Sequence, residues 1–327
     1  MTKFTGAFKS VAALCIVCAF IVSAASGVGA GEWPSRGIEL IAPFRAGGDT
    51  DFHARTYAKY LERELGQSVA VVNVDGAAGT IGAQQVASSA PNGYRMLFYH
   101  TGNLFVNKLM GAADLDHTFF DIACIGVLDD TAVFVTKSDS GITTAQDLIA
   151  KAKAAPDKIS AGVTISGFSY FVLAKAQAGG DFSIHPVDYG NAASLISALL
   201  GNHVQLVVNS YGVFKQYIDS KDMVPLMVAS ENRNPSFPDV PTVGEIGLKD
   251  AVAARAYFFA FPKGTDPQIV KKLSDAVGRI YQNPEYAAEI KNAYCVVPFY
   301  RDVTTATQYI EGLWQDILKY EDILLRQ

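Results

Sequence analysis

The chain has 327 residues, half of them apolar, and a formal charge of −5. Domains usually hold about 100 to 150 residues, so two lobes are expected in place of one core. The acidic balance excludes the cationic surface that nucleic-acid binding needs.

Residues 1–30 read as a secretory leader. Lys3 and Lys9 precede the apolar run Val11 to Val22, and Val28-Gly29-Ala30 offers a small-residue cleavage site. The run is too short to cross a bilayer, so a cleaved signal peptide is expected, leaving an exported chain with a charge of −7 over 297 residues. Ile38 to Pro43, Val69 to Val74 and Met96 to Tyr99 are short apolar runs with strand character, and the helical patterns between them imply a parallel sheet with helical crossovers. In the first crossover Ala54, Ala58, Leu61 and Leu65 share one helical face, Arg55, Lys59, Glu62 and Arg63 the other, and Gly66 supplies the stop.

A second α/β series opens near Ala123 to Val135 and passes a Thr143-x-x-Gln146 capping box. It continues with a strand at Ile159 to Val163, a helix from about Ser169, a strand at His185 to Asp188, a helix across Ala192 to Leu200 and a strand at Val204 to Val208. Pro235, Pro238 and Pro241 mark irregular chain. Ala256 to Phe261 then reads as a strand. Pro267 opens a helix whose face is Ile269, Val270, Leu273, Val277 and Ile280, and Asn283-Pro284 stops it. Thr305-x-x-Gln308 caps a terminal helix bearing Tyr309, Leu313, Trp314 and Ile317.

The segment Pro43-Phe44-Arg45-Ala46-Gly47-Gly48-Asp49-Thr50-Asp51 joins the first strand to the first helix. Adjacent glycines let the backbone turn with its amides exposed, and Thr50 or Asp51 can cap the helix, whose unpaired N–H groups point back at the loop. That is a cradle for a small carboxylate. Asp51 fits a supporting role, accepting loop amides, and Asp49 a solvated one; alternatively their charges select a ligand carrying an ammonium. Arg45 reads as a surface residue, with the alternative that its planar fork receives the distal carboxylate of a diacid.

Catalytic readings are weaker. Gly76-x-x-Gly79-x-x-Gly82 lacks the G-x-G of a dinucleotide fingerprint and the lysine of a P-loop, so with Asn73 it reads as scaffold beside the cleft. Val208-Asn209-Ser210-Tyr211-Gly212 has valine where a nucleophile elbow needs glycine, so Ser210 is not a nucleophile. The histidines at 53, 100, 117, 185 and 203 form no short ligand pair. Cys124 and Cys295 are isolated and fit two separately buried thiols. No catalytic residue, metal or cofactor is expected, and His100 fits a hydrogen-bonded structural role.

Several separated motifs resemble, in order, the periplasmic solute receptors of tripartite tricarboxylate transporters, the Bug family. These are Trp33-Pro34-Ser35-Arg36-Gly37-Ile38, the Pro43-to-Asp51 loop with Ala54-Arg55, Asn73 with Gly76 to Ala83, Ala90-Pro91-Asn92-Gly93-Tyr94, and Pro238-Asp239-Val240-Pro241-Thr242 with Glu245 and Gly247. The resemblance implies an α/β, two-lobed Venus flytrap architecture, each lobe a sheet flanked by helices, with two crossovers between them. Lobe 1 would hold residues 31–128 and 258–327, and lobe 2 residues 129–257. It implies that Phe44, Ala46, Gly47, Gly48, Thr50 and Asp51 hold a carboxylate, with Thr101, Gly102 and Asn103 beside them. Ser166, Gly167, Phe168, Ser169, Tyr189 and Asn209 would face them from the other lobe. Phe168 and Tyr189 fit packing against a ligand body, and Tyr170 a core position. Arg45, Tyr170, Gln205 and Val187-Asp188-Tyr189-Gly190-Asn191 depart from the family's usual residues.

The expected function is capture of a small carboxylate, a di- or tricarboxylate or an aromatic acid, in the periplasm for membrane permease subunits. The alternatives are an exported α/β enzyme acting on a small acid and a subunit presenting its ligand to a sensor kinase.

Overall fold

The first three apolar runs after residue 30 become β1 (Ile38–Ala42), β2 (Val69–Asn73) and β3 (Arg95–His100), which pair in parallel in the computed structural model. The structure describes residues 33–325, so the expected leader lies outside the described residues. Between β1 and β2 runs α1 (Asp49–Leu65). Its Ala54, Ala58 and Leu61 are buried while Arg55, Glu62 and Arg63 face solvent, and Gly66, at φ 67°, closes it by donating its N–H to the Glu62 carbonyl. α2 (Thr80–Ala87) links β2 to β3, and α3 (Thr101–Leu109) follows β3 directly.

β4 (Phe120–Asp129), β10 (Arg255–Pro262) and β11 (Pro298–Arg301) complete a six-stranded sheet in the order β11-β4-β10-β3-β1-β2. β10 is antiparallel to both β3 and β4, so the sheet is mixed, not wholly parallel as the alternation implies. The reason is topological: β10 enters from the other sheet and needs no helical crossover to turn it parallel. All eight of its residues are buried, which is why its sequence reads as a nearly unbroken apolar run.

β5 (Ala132–Lys137), β6 (Ser160–Val163), β7 (His185–Asp188), β8 (Leu206–Ser210) and β9 (Met223–Val228) form the second sheet, ordered β7-β6-β8-β5-β9. β6 pairs in parallel with β7 and β8, and β5 runs antiparallel to β8 and β9. Helices α4 (Ala145–Ala154), α5 (Phe168–Gly180), α6 (Ala192–Leu200) and α7 (Tyr211–Asp219) connect these strands. The run Ala123 to Val135 does not open this series as a unit. β4 ends in the first sheet at Asp129, only Asp130 and Thr131 intervene, and β5 starts the second. From Pro34 onward the chain packs as one unit with two sheets.

Two helix starts shift against expectation, one by a single residue to a neighbouring threonine and one because an aspartate takes the cap from a threonine. α4 is capped by Thr144, whose Oγ1 accepts from the Asp147 amide at 3.1 Å while Asp147 reaches back to the Thr143 amide at 3.4 Å. α8 (Pro267–Tyr281) and α9 (Pro284–Tyr294) precede α10 (Val303–Leu318), which Asp302 caps by accepting from the Thr305 amide at 2.9 Å. A carboxylate satisfies the same donors and also complements the positive end of the helix dipole. Asn283-Pro284, expected only to stop α8, also starts α9: Asn283 accepts from the Glu285 amide and Pro284 takes the first helical position. α11 (Glu321–Leu324) closes the described chain.

Gly82 fixes how α2 seats beneath the start of the β1–α1 loop. A Cβ there would lie 2.7 Å from the Pro43 Cβ, and 3.0 Å from both the Pro43 Cα and the Val74 carbonyl oxygen, two backbone atoms that cannot rotate away. Gly82→Ala should therefore destabilise the protein by about 1 to 3 kcal/mol, seen as a lowered urea midpoint, despite alanine's better helix propensity.

Candidate functional site

The ends of β1, β3, β6, β7 and β8 open on a shared cavity of about 510 Å³. This is where an α/β sheet naturally offers a site, because the loops leaving the carboxyl ends of parallel strands converge there with helix N-termini aimed inward. Its walls come from Phe44 to Asp49 on one side, His100, Asn103 and Arg255 beneath, and Thr164, Ser169, Tyr189 to Ser194 and Asn209 opposite.

The loop after β1 is held from below. The Asn73 amide group donates to the Phe44 carbonyl at 3.0 Å and to Asp51 at 2.9 Å, and its oxygen accepts from Arg55 at 2.9 Å. Asp51 accepts the Gly47 amide at 3.0 Å and pairs with Arg55. Asp51 is therefore a brace, as expected, but neither it nor Thr50 caps α1: Gly48 occupies the cap position and supplies no side chain. Asp49 takes the Thr50 amide at 2.8 Å. The amides of Ala46, Gly48 and Asp49 have no acceptor among the described residues, and all three residues line the cavity.

Asp49 corrects the sequence reading most sharply. It is not solvated: its side chain is only 14% exposed and pairs with the guanidinium of Arg255, while the Tyr257 hydroxyl donates to it at 3.0 Å. Arg255 sits at the first residue of β10. It also donates through Nε at 3.1 Å and Nη2 at 3.0 Å to Asp129, the last residue of β4, and through Nη2 to Ser210 at the end of β8. Ser210 in turn donates to Asp129, which accounts for this buried serine without a nucleophilic role. One cation thus ties the loop after β1 to both strands where the chain passes between sheets. Burial opposes charge on Asp49, but Arg255 and the Thr50 and Tyr257 donors outweigh it and hold the carboxyl down at about 2.

His100 is the cap of α3, its Nδ1 accepting the Asn103 amide at 3.2 Å, which leaves the ring proton on Nε2. Burial, aided by Arg255, pushes it down to about 3, so the ring is neutral. Phe44 stacks on it, centroids 5.5 Å apart and planes 6° from parallel. His53, also buried, is pushed down to about 4, chiefly by burial.

Other expected site residues divide by role. Phe44, Arg45, Ala46, Gly47, Gly48, Asn103, Ser169, Tyr189 and Asn209 line the cavity; Thr50, Asp51, Thr101, Gly102, Ser166, Gly167 and Phe168 do not. Thr101 accepts the Ala256 amide at 3.1 Å, fixing β3 against β10. Gly102 is where α3 meets α5: a Cβ would sit 2.7 Å from that of Phe168. Phe168 is buried under Arg255, its ring centroid 5.1 Å from the guanidinium carbon, so it packs on protein and not on a ligand body. Its amide is taken by Asn103 at 2.9 Å. Arg45 lies at the rim, 70% exposed and paired with Asp75. Tyr170 is in the core, and Cys124 and Cys295 are buried free thiols. Sequence reasoning missed Asp49, Arg255 and Asp129, whose partnership spans 126 residues and leaves no local pattern; Asn191, which caps α6 at the far wall, was legible as an Asn ahead of an apolar helix. Among the described residues no acid, histidine or cysteine group is placed to hold a metal ion, and no helix is long and apolar enough to cross a membrane.

Two mixed sheets, crossed by the chain at Asp129 and Arg255 with a cavity at their strand ends, define a two-lobed periplasmic binding protein. Residues 53–324 match the tripartite tricarboxylate transporter family receptor, TctC, and the chain belongs to that family. It is 30% identical to protein BugT of Bordetella pertussis over 83% of this chain and 84% of that one. It is 32% identical to a Cupriavidus necator protein of the gbd 5′ region, over 90% and 88%. The periplasmic binding protein BugD superposes with a TM-score of 0.81 at 26% identity, over 89% of this chain and 99% of that one.

Two outcomes follow. Asp129→Ala breaks one of the two buried ion pairs of Arg255 and leaves the Thr131 and Ser210 donors without their acceptor, and should cost about 3 to 5 kcal/mol by denaturant titration. The unfolded chain protonates His53 and His100 near pH 6.5, whereas the folded protein does so only at about 4 and about 3. Asp49 extends the same imbalance from its ordinary 3.8 down to about 2. The unfolded state therefore holds more protons throughout this window, and stability must fall as pH drops below 6.5. Urea midpoints should decline steadily from pH 7 to pH 4, and the doubly substituted His53→Gln, His100→Gln protein should show a shallower decline.

Proposed function

We propose that this protein captures a small organic carboxylate in the periplasm and delivers it, chemically unchanged, to the membrane permease subunits of a tripartite transporter. The observation that carries this reading is that the amides of Ala46, Gly48 and Asp49, residues that line the cavity, have no acceptor among the described residues, while the neighbouring amides of Gly47 and Thr50 are tied by aspartates. Selective tying of donors pre-aims the rest. Charge-assisted hydrogen bonds contribute about 1.5 to 3 kcal/mol each, so three in a cleft support micromolar affinity after ordering costs. Residues 33–129 with 255–325 would form one lobe and 130–254 the other, following the sheets to which β4 and β10 belong, and the lobes would close because both contact the guest. Across the cleft we assign Ser169, Tyr189 and Asn209 to the guest's other end. The braced, serine-tied chemistry around Arg255 offers no activated nucleophile, which favours a receptor over an enzyme.

Gly48 gives a direct test. Its φ of −89° is close to the roughly −65 ± 15° that proline fixes, and a Cβ would meet nothing nearer than the Arg45 carbonyl oxygen at 3.9 Å. Calorimetric titration with mono-, di- and tricarboxylates and aromatic acids should find a binder. For that acid Gly48→Ala should leave affinity within about threefold, and Gly48→Pro, which deletes one amide, should weaken it by about 10- to 150-fold. Binding of a neutral sugar and of no carboxylate would refute the proposal.

A further inference from the structure

We propose that the bound carboxylate is an α-amino acid, with Asp49 receiving its ammonium group; this rests on the carboxylate reading above. The charges around the cavity floor do not balance. Arg255 lies between two ionised carboxylates, Asp49 and Asp129, and the nearby His100 and His53 are neutral rings, so the cluster keeps one net negative charge. Other ionic groups of the loop cancel in pairs: Asp51 with Arg55, and Arg45 with Asp75 at the rim.

Only one of the two floor carboxylates can meet a guest. Asp129 is 2% exposed and its oxygens are occupied by Thr131, Ser210 and Arg255. Asp49 lines the cavity, and while its Oδ2 serves Arg255 and Tyr257, its Oδ1 accepts only the Thr50 amide. A carboxylate oxygen offers two lone pairs, so Oδ1 retains one for a donor from the ligand. The placement also suits the chemistry. An α-amino acid carries ammonium and carboxylate on one carbon, and the free amides of Gly48 and Asp49 lie within a residue of the Asp49 carboxylate. A guest lacking the ammonium would set its carboxylate beside an uncompensated negative charge in a partly dehydrated cleft, where like charges repel strongly.

Isosteric pairs separate this inference from the general one. The purified, leader-free protein is titrated with amino and 2-hydroxy acids sharing a side chain: alanine and lactate, aspartate and malate, glutamate and 2-hydroxyglutarate, phenylalanine and phenyllactate. The amino member of the binding pair should be at least tenfold tighter, and Asp49→Asn should abolish that preference while retaining a cooperative melt. If hydroxy or unsubstituted acids bind as tightly as the amino acids, the ammonium assignment fails and the carboxylate receptor survives. If no acid of any kind binds, both fail. The wild-type comparison decides the matter even if Asp49→Asn does not fold.

Discussion

The guanidinium of Arg255 is the point on which the architecture turns. It is buried, so its charge must be met inside the protein, and the partners that meet it come from three places: Asp129 where β4 leaves the first sheet, Ser210 at the end of β8 in the second, and Asp49 at the head of α1. Breaking such a cluster is costly because each member would be stranded without water. Its position matters more than its net stabilising effect. A planar fork with donors in fixed directions sets the relative placement of the strands it touches, and it does so at the two places where the chain passes between sheets.

The loop after β1 inherits its shape from this cluster and from a second, more exposed one. Asp49 is anchored downward to Arg255, and Asp51 is anchored sideways to Arg55 and Asn73. With two alternate residues fixed, the backbone between and before them has little freedom, and Ala46, Gly48 and Asp49, whose amides have no acceptor among the described residues, line the cavity. Rigid presentation lowers the ordering cost of binding, which is how a small ligand can be held without a dedicated cationic side chain. Family membership and the two-lobed fold agree with this economy.

What could be read in the sequence follows from how local each signal is. α1 was legible because its face and its glycine stop lie within the helix itself, and α6 because an apolar helix between two strands admits few other readings. The loop after β1 was legible as a strand-to-helix junction because glycines, strand and helix are consecutive. The antiparallel insertion of β10 was not legible, since strand direction there depends on where the chain has come from and not on its own residues. Asp49 was misassigned for a related reason: a carboxylate on a polar loop looks solvated until its partner, 206 residues away, is known. Phe168 looked available to a ligand because its neighbours are polar, yet it is covered by Arg255. Charges and aromatics whose roles are settled by distant partners are the ones a linear reading places wrongly.

The central claim is that main-chain donors at the head of α1 grip a carboxylate. Amide proton and nitrogen shifts of the leader-free protein, followed by NMR during titration with the tightest-binding acid, test it most directly. The account predicts large downfield amide proton shifts at Ala46, Gly48 and Asp49, with the tied amides of Gly47 and Thr50 moving far less. Saturable binding that leaves those three resonances in place while others move would contradict it.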